Sequence, residues 1–287
     1  MRRIRLAVVG IFVLSLIAFI VFNIVNRVTT DSTPPVITSE SDTVTVSVAA
    51  EESELLAGLT ATDDEDGDLT GEIMISSMSN FTEPGKRTIS YVVFDASNNA
   101  STLTRNLEYT DYTAPQIKLT QPLRYSLNEM EDASLTENMS VQDCLDGDIT
   151  QQIRATFNDG AHIALAREYG ITVQVGHSAG DTCSVPLTVT VTDPAEESGK
   201  YYPMLSDYIV YAPVGGYVDL TSLLIGLENS STQYLFADAN PSAPGGIESV
   251  AIGGAVDYNT PGTYTVDYQF TSASGATGTT KLAVVVG

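Results

Sequence analysis

Hydrophobic and polar positions divide this chain into two regions with different periods. From Leu6 to Val25, twenty residues, no side chain is charged, and only Ser15 and Asn23 are clearly polar. At a helical rise of about 1.5 Å per residue such a run is about 30 Å long, the thickness of a bilayer core. Beyond residue 30 the period becomes two. Thr43-Val44-Thr45-Val46-Ser47-Val48 alternates polar with apolar, and Gly170 to Val175 and Pro261 to Phe270 read as strands. Turn-forming clusters separate these runs at Pro84-Gly85, Ala96-Ser97-Asn98-Asn99, Gly176 to Asp181 and Ser272-Ala273-Ser274-Gly275. Ser184 to Thr192 reads as a further strand, with Pro186 marking an edge or a strand start. The pattern predicts one N-terminal transmembrane helix followed by small all-β sandwiches.

One stretch of the β region recurs. Thr60-Ala61-Thr62-Asp63-Asp64-Glu65-Asp66-Gly67-Asp68-Leu69-Thr70 returns 80 residues later as Ser140-Val141-Gln142-Asp143-Cys144-Leu145-Asp146-Gly147-Asp148-Ile149-Thr150. The segments leading into them, Thr33-Pro34-Pro35-Val36-Ile37 and Thr113-Ala114-Pro115-Gln116-Ile117, are also 80 apart. One spacing kept across two motifs means repeated modules. Pro84 to Val93 has its own counterpart at Pro261 to Phe270, displaced by 177 residues. The expected organisation is a cytoplasmic start at 1–5, a transmembrane signal-anchor at 6–26 and a linker at 27–32. Modules follow at 33–110 and 111–193, then a linker at 194–200 and a degenerate third module at 201–287, which lacks the Asp-Gly-Asp signature.

Charge sharpens the topology. Arg2, Arg3 and Arg5 precede the apolar run and Arg27 follows it, which places the N-terminus in the cytoplasm and the rest outside. The run is longer than the apolar core of a cleaved signal, and no small-residue cleavage site follows it, so an uncleaved anchor is favoured over a cleaved signal. The chain has 13 basic and 36 acidic residues, and no acid precedes Asp31. A polyanion of this size repels nucleic acid and anionic headgroups, so a nucleic-acid partner is not expected. Cys144 and Cys183 are the only cysteines. In an extracytoplasmic segment a disulfide between them is the default; on the loop-entropy model it would contribute about 3–4 kcal/mol.

These residues resemble a known family. A Pro-x-Ile lead-in, a Thr-Ala-x-Asp-x-x-Asp-Gly-Asp-Leu/Ile-Thr core and a Pro-Gly-x-Tyr-x-Val-x-Tyr…Asp-x-Ser-Gly-Asn hairpin mark a bacterial immunoglobulin-like repeat. It is named after a pesticidal crystal protein and is widespread in envelope proteins of Gram-positive bacteria. The first module matches all three marks, with Arg87 where Tyr is usual and Asn98 where Gly is usual; the second loses most of the hairpin and the third keeps only the hairpin. The resemblance implies tandem Ig-like β-sandwich domains used as spacer, adhesion or carbohydrate-contacting modules, with no catalytic residues.

Candidate chemistry is sparse. Asp63, Asp64, Asp66 and Asp68 could ligate calcium, with Asp111 joining from the module junction. The EF-hand template fails from Asp64, since its glycine falls on Leu69 and its final glutamate on Ile75. The plainer reading is that these aspartates form Asx-turns beside Gly67 and Gly147. Gly176-His177-Ser178-Ala179-Gly180 matches a hydrolase nucleophile elbow. The elbow needs a strand-to-helix turn, and here a second strand is expected to follow, so a serine hydrolase through Ser178 is only a minor alternative. His162 and His177 lack transition-metal spacing. The glycine pairs Gly215-Gly216 and Gly245-Gly246 lack the lysine and helix start of a phosphate loop. Asn80, Asn99, Asn138 and Asn229 lie in Asn-x-Ser/Thr contexts.

The expected function is therefore that of a non-catalytic, membrane-anchored extracytoplasmic protein. It would be an Ig-like stalk, adhesion or ligand-binding module that meets a protein or glycan, with an envelope-assembly or secretion-associated subunit as the alternative.

Overall fold

The computed structural model describes residues 2–29, 31–130, 132–158, 160, 163, 165–238 and 242–287. The apolar run forms one helix, Arg2–Thr29. Its stretch Arg3–Val25 is long and apolar enough to cross a membrane, and none of it is buried against the rest of the chain. A helix that is apolar all round needs an apolar environment on every side.

The remainder is β-structure in two compact units, residues 1–112 and 113–287. In the first unit a three-stranded sheet joins Val36–Ser39, Leu59–Asp63 and Gly67–Asp68, and a four-stranded sheet faces it. The larger sheet runs in the order Thr43–Val46, Ala100–Tyr109, Lys86–Phe94, Met74–Met78. Its first pair is parallel and the others antiparallel. Alternation along Lys86–Phe94 turns Ile89, Tyr91 and Val93 inward, all fully buried, against Ala61 and Leu107. The Tyr91 hydroxyl donates to the Leu55 carbonyl at 2.7 Å, which fixes the short helix Glu52–Leu55 over the core.

The second unit repeats the four-stranded sheet twice. Arg124–Ser126, Thr182–Thr192, Glu168–Gly176 and Arg154–Phe157 form one four-stranded sheet, again with a parallel first pair. Ile209–Ala212, Thr277–Val286, Gly262–Thr271 and Val250–Gly253 form the other in the same order. Tyr268, the counterpart of Tyr91, donates to the Leu220 carbonyl at 2.7 Å. Pro186 pairs with Thr172 on one side, while Arg124–Ser126 covers only Thr190–Thr192 on the other, so position 186 is a local edge.

The segments expected as second and third modules share one core, which runs from Ile117 to Val286. Backbone and side chains cross between them. Tyr208 N donates to the Leu119 carbonyl at 3.0 Å. Tyr211 Oη accepts from Ile117 N at 2.8 Å and donates to the Ile117 carbonyl at 3.2 Å. Arg124 pairs with Glu228 and lies 3.7 Å from the Tyr202 ring centroid. The stretch 194–200, read as a linker, carries a 3-10 turn at Pro194–Glu196, and Glu197 accepts a hydrogen bond from Tyr202 Oη at 2.6 Å.

The disulfide expectation is corrected: Cys144 and Cys183 are both free. The fold sends the two thiols to different partners. Cys144 Sγ donates to the Thr113 carbonyl at 3.3 Å, and Cys183 Sγ lies 3.8 Å from Tyr211 Oη. Burial raises the Cys183 thiol above the ordinary thiol range.

Candidate functional site

The Asp-Gly-Asp stretch folds as a tight hairpin in both copies. Asp63 pairs with Gly67 and Thr62 with Asp68 in the first, Asp143 with Gly147 and Gln142 with Asp148 in the second. Gly67 at φ +78° and Gly147 at φ +73° hold the left-handed conformation that the turn requires and that glycine adopts without strain. Asp63 Oδ1 accepts from Glu65 N at 2.9 Å and Asp66 N at 3.0 Å; Asp143 Oδ1 accepts from Leu145 N and Asp146 N, each at 2.9 Å. Asp68 Oδ1 accepts from Thr70 N at 2.9 Å, and Asp148 Oδ1 from Thr150 N at 3.0 Å. These are Asx-turns. The amides hold the Asp63 carboxyl below its usual range, and the Thr70 and Thr150 donors do the same for Asp68 and Asp148.

A second contact ties each loop to the hairpin that follows it. Asp66 Oδ2 accepts from Ala96 N at 2.7 Å, and Asp146 Oδ2 accepts from Ser178 N at 2.6 Å. Asp64, Asp66 and Asp68 are exposed. The carboxylates brought within ligand distance of Asp63 are Asp31 and Asp95, neither of which the sequence reading grouped with it. In the second copy the corresponding group is Asp143, Asp146 and His177. Asp111, the repeat partner of Asp31, is used elsewhere: it accepts from Val48 N at 2.8 Å and Ser47 Oγ at 2.7 Å.

Gly176-His177-Ser178-Ala179-Gly180 lies on the turn between Glu168–Gly176 and Thr182–Thr192, where Gly176 faces Thr182. Ser178 Oγ donates to Asp146 Oδ1 at 2.7 Å, and His177 Nδ1 accepts from Ala179 N at 3.0 Å. Serine and histidine thus brace the turn. His162 lies outside the described residues.

Two departures from the family pattern have local explanations. Asn98 is the one non-glycine at positive φ among the described residues, at 63°, a conformation asparagine tolerates better than most. Arg87 hydrogen-bonds Tyr109 Oη, and its guanidinium stands 5.3 Å from that ring centroid and 5.7 Å from the Phe81 centroid.

Residues 40–108 match the family described as bacterial surface protein, Ig-like domain. The match is a likeness to that family over this segment, which lies wholly within the first compact unit. No curated protein matches the chain significantly. Among solved structures, the chain is similar to CBM51-2 and INT domains of Clostridium perfringens ZmpB in complex with GlcNAc. That likeness has 22% identity and a TM-score of 0.22, and covers 49% of this chain and 28% of that one. The ZmpB M60 catalytic domain with its CBM51-1 and CBM51-2 domains is 12% identical at a TM-score of 0.22, covering 89% of this chain and 31% of that one. Mouse cadherin-23 EC22-24 is 13% identical at a TM-score of 0.21, covering 89% of this chain and 99% of that one. This chain thus spans less than a third of either ZmpB chain. TM-scores of this size lend no support to any particular function.

Proposed function

We propose that this is a non-catalytic extracytoplasmic protein, tethered to the cell membrane through residues 6–26, whose Ig-like modules contact a protein or glycan at the cell surface. One juxtaposition carries the reading: a membrane-length apolar helix ends at Thr29, and a segment matching a surface Ig-like family begins at residue 40. Arg2, Arg3 and Arg5 ahead of the run, against Arg27 behind it, favour a cytoplasmic N-terminus. The acidic balance of everything beyond the helix disfavours adhesion of the modules to anionic lipid. Tyr217, 76% exposed and with its ring centroid 6.0 Å from that of Tyr258, is the aromatic surface we assign to ligand contact.

Protease treatment of intact cells carrying an N-terminal tag tests the topology. Digestion should remove the β-modules and leave the tag protected; modules that survive until the cells are lysed would overturn the reading. Glycan-array binding and envelope crosslinking test the partner. Tyr217→Ala should weaken capture by about tenfold, as expected of an exposed aromatic anchor. A stoichiometric membrane partner captured equally well by Tyr217→Ala would favour an assembly subunit instead.

A further inference from the structure

Three carboxyl groups from three separate segments meet in the first unit. Asp31 lies just after the N-terminal helix, Asp63 ends the strand Leu59–Asp63, and Asp95 follows the strand Lys86–Phe94. One ligand oxygen from each lies within 4.8 Å of the other two. Asp63 and Asp95 are only 8% and 6% exposed. Local amides occupy part of the set. Asp31 Oδ1 accepts from Thr33 N at 2.8 Å, and Asp63 Oδ1 accepts from its own turn. Asp95 Oδ1 accepts from Asn99 N at 2.7 Å and Asp95 Oδ2 from Asn99 Nδ2 at 2.6 Å. Asp31 Oδ2 and Asp63 Oδ2 are left buried with no hydrogen-bond partner.

Buried carboxylate oxygens without a donor are costly, and placing a third carboxylate beside them adds like-charge repulsion. Among the described residues no lysine or arginine forms an ion pair with any of the three. An all-oxygen anionic donor set selects a hard cation. Oxygens bound to one calcium at about 2.3–2.6 Å lie at most about 5 Å apart, which accommodates this spacing without rearrangement. Magnesium's shorter bonds and strict octahedron suit less well a site whose turn amides already fix one oxygen of Asp31 and of Asp63.

We propose that Asp31, Asp63 and Asp95 form a calcium site that clasps the segment after the anchor helix to the Asp-Gly-Asp loop and to the following hairpin turn. Asn99 already bridges two of these elements, since its Nδ2 also lies 3.2 Å from the Asp31 carbonyl and 3.4 Å from the Thr33 carbonyl. The ion completes the bridge by supplying the positive partner that the two buried oxygens lack. Its effect is to fix the chain where the helix gives way to the domain. The second loop is an internal control. Asp143 Oδ2 is again buried without a partner, but an imidazole stands where Asp95 would, and the counterpart of Asp31 is committed to Ser47 and Val48.

Calcium titration calorimetry and thermal unfolding of the full chain in detergent micelles, after treatment with a chelator, test the site. The outcome is independent of where the protein resides in the cell. One calcium per chain should bind with a Kd of about 0.1–1 mM, in the range of extracellular modules, and raise the first unfolding temperature. Asp31→Asn and Asp63→Asn should each weaken binding by about tenfold or more, whereas Asp64→Asn and Asp143→Asn should leave it unchanged. No heat and no stabilisation at about 10 mM calcium would overturn the proposal, as would equal stabilisation by magnesium or a loss caused by Asp64→Asn but not by Asp31→Asn. Should Asp63→Asn fail to fold, Asp31→Asn decides: native circular dichroism without a calcium response supports the site, and a retained response refutes it.

Discussion

Tyr211 belongs by sequence to the third module, yet its hydroxyl satisfies both backbone groups of Ile117 in the second, at 2.8 and 3.2 Å. Ile117 is fully buried beneath that phenol. Tyr211→Phe should cost about 2 kcal/mol of the second unit's stability in chemical denaturation, because it orphans a buried N–H and a buried C=O. Asp111 shows the same logic for a charged acceptor. Its bonds from Val48 N and Ser47 Oγ hold its carboxyl below the usual range. A depressed native pKa contributes stability above the unfolded value of about 3.9, and loses it as pH falls through the native pKa. The first unit's melting temperature should therefore be flat from neutral pH to about pH 5 and then fall in more acidic solution. Asp111→Asn should be less stable at neutral pH and show a shallower acid limb, as followed by circular dichroism.

At the level of elements, one hairpin design recurs with different braces. Tyr91 and Tyr268 both reach a leucine carbonyl in a short helical turn, as their shared motif suggests. Between the second and third segments the joint is polar as well as apolar. Arg124 in Arg124–Ser126 pairs with Glu228 at the end of Leu224–Glu228, and both side chains are mostly withdrawn from solvent, at 17% and 16% exposure. Removing one partner of such a pair strands the other. Glu228→Ala should destabilise by about 2–3 kcal/mol. A double-mutant cycle with Arg124→Ala should return a coupling of about 1 kcal/mol or more. A coupling near zero would mean that the joint is held by its apolar contacts and the Tyr208–Leu119 backbone bond.

For the whole molecule, the number of repeated sheets and the number of compact units differ. Among the described residues three four-stranded sheets share one strand order, but the chain divides into two compact units. Calorimetry should show two unfolding transitions, one for residues 1–112 and one for 113–287, rather than three. Truncation at residue 193 should leave a second segment that exposes its half of the joint core and does not fold cooperatively, as judged by near-ultraviolet circular dichroism. A sharp independent transition from that fragment would refute the shared core.

Much of this was legible from local pattern alone. A charge-free run of membrane length, period-two strands and a repeat spacing of 80 are one-dimensional properties, and they specify the helix, the long hairpin strands and the all-β class, while the short strands and the sheet order do not follow from them. The Asn98 turn and the Ser178 hairpin follow from the same local rules. What needed the tertiary structure were the pairings between residues distant in sequence. Asp63 and Asp64 are neighbours in the chain, but Asp63 ends a strand on its buried face and Asp64 opens the exposed turn. The partners of Asp63 come from residues 31 and 95, which the facing sheets bring together. The two cysteines looked like a disulfide because they share a module, yet their thiols face Thr113 and Tyr211. Periodicity reports which face of a strand a side chain occupies, and only the packed sheets decide what meets it there.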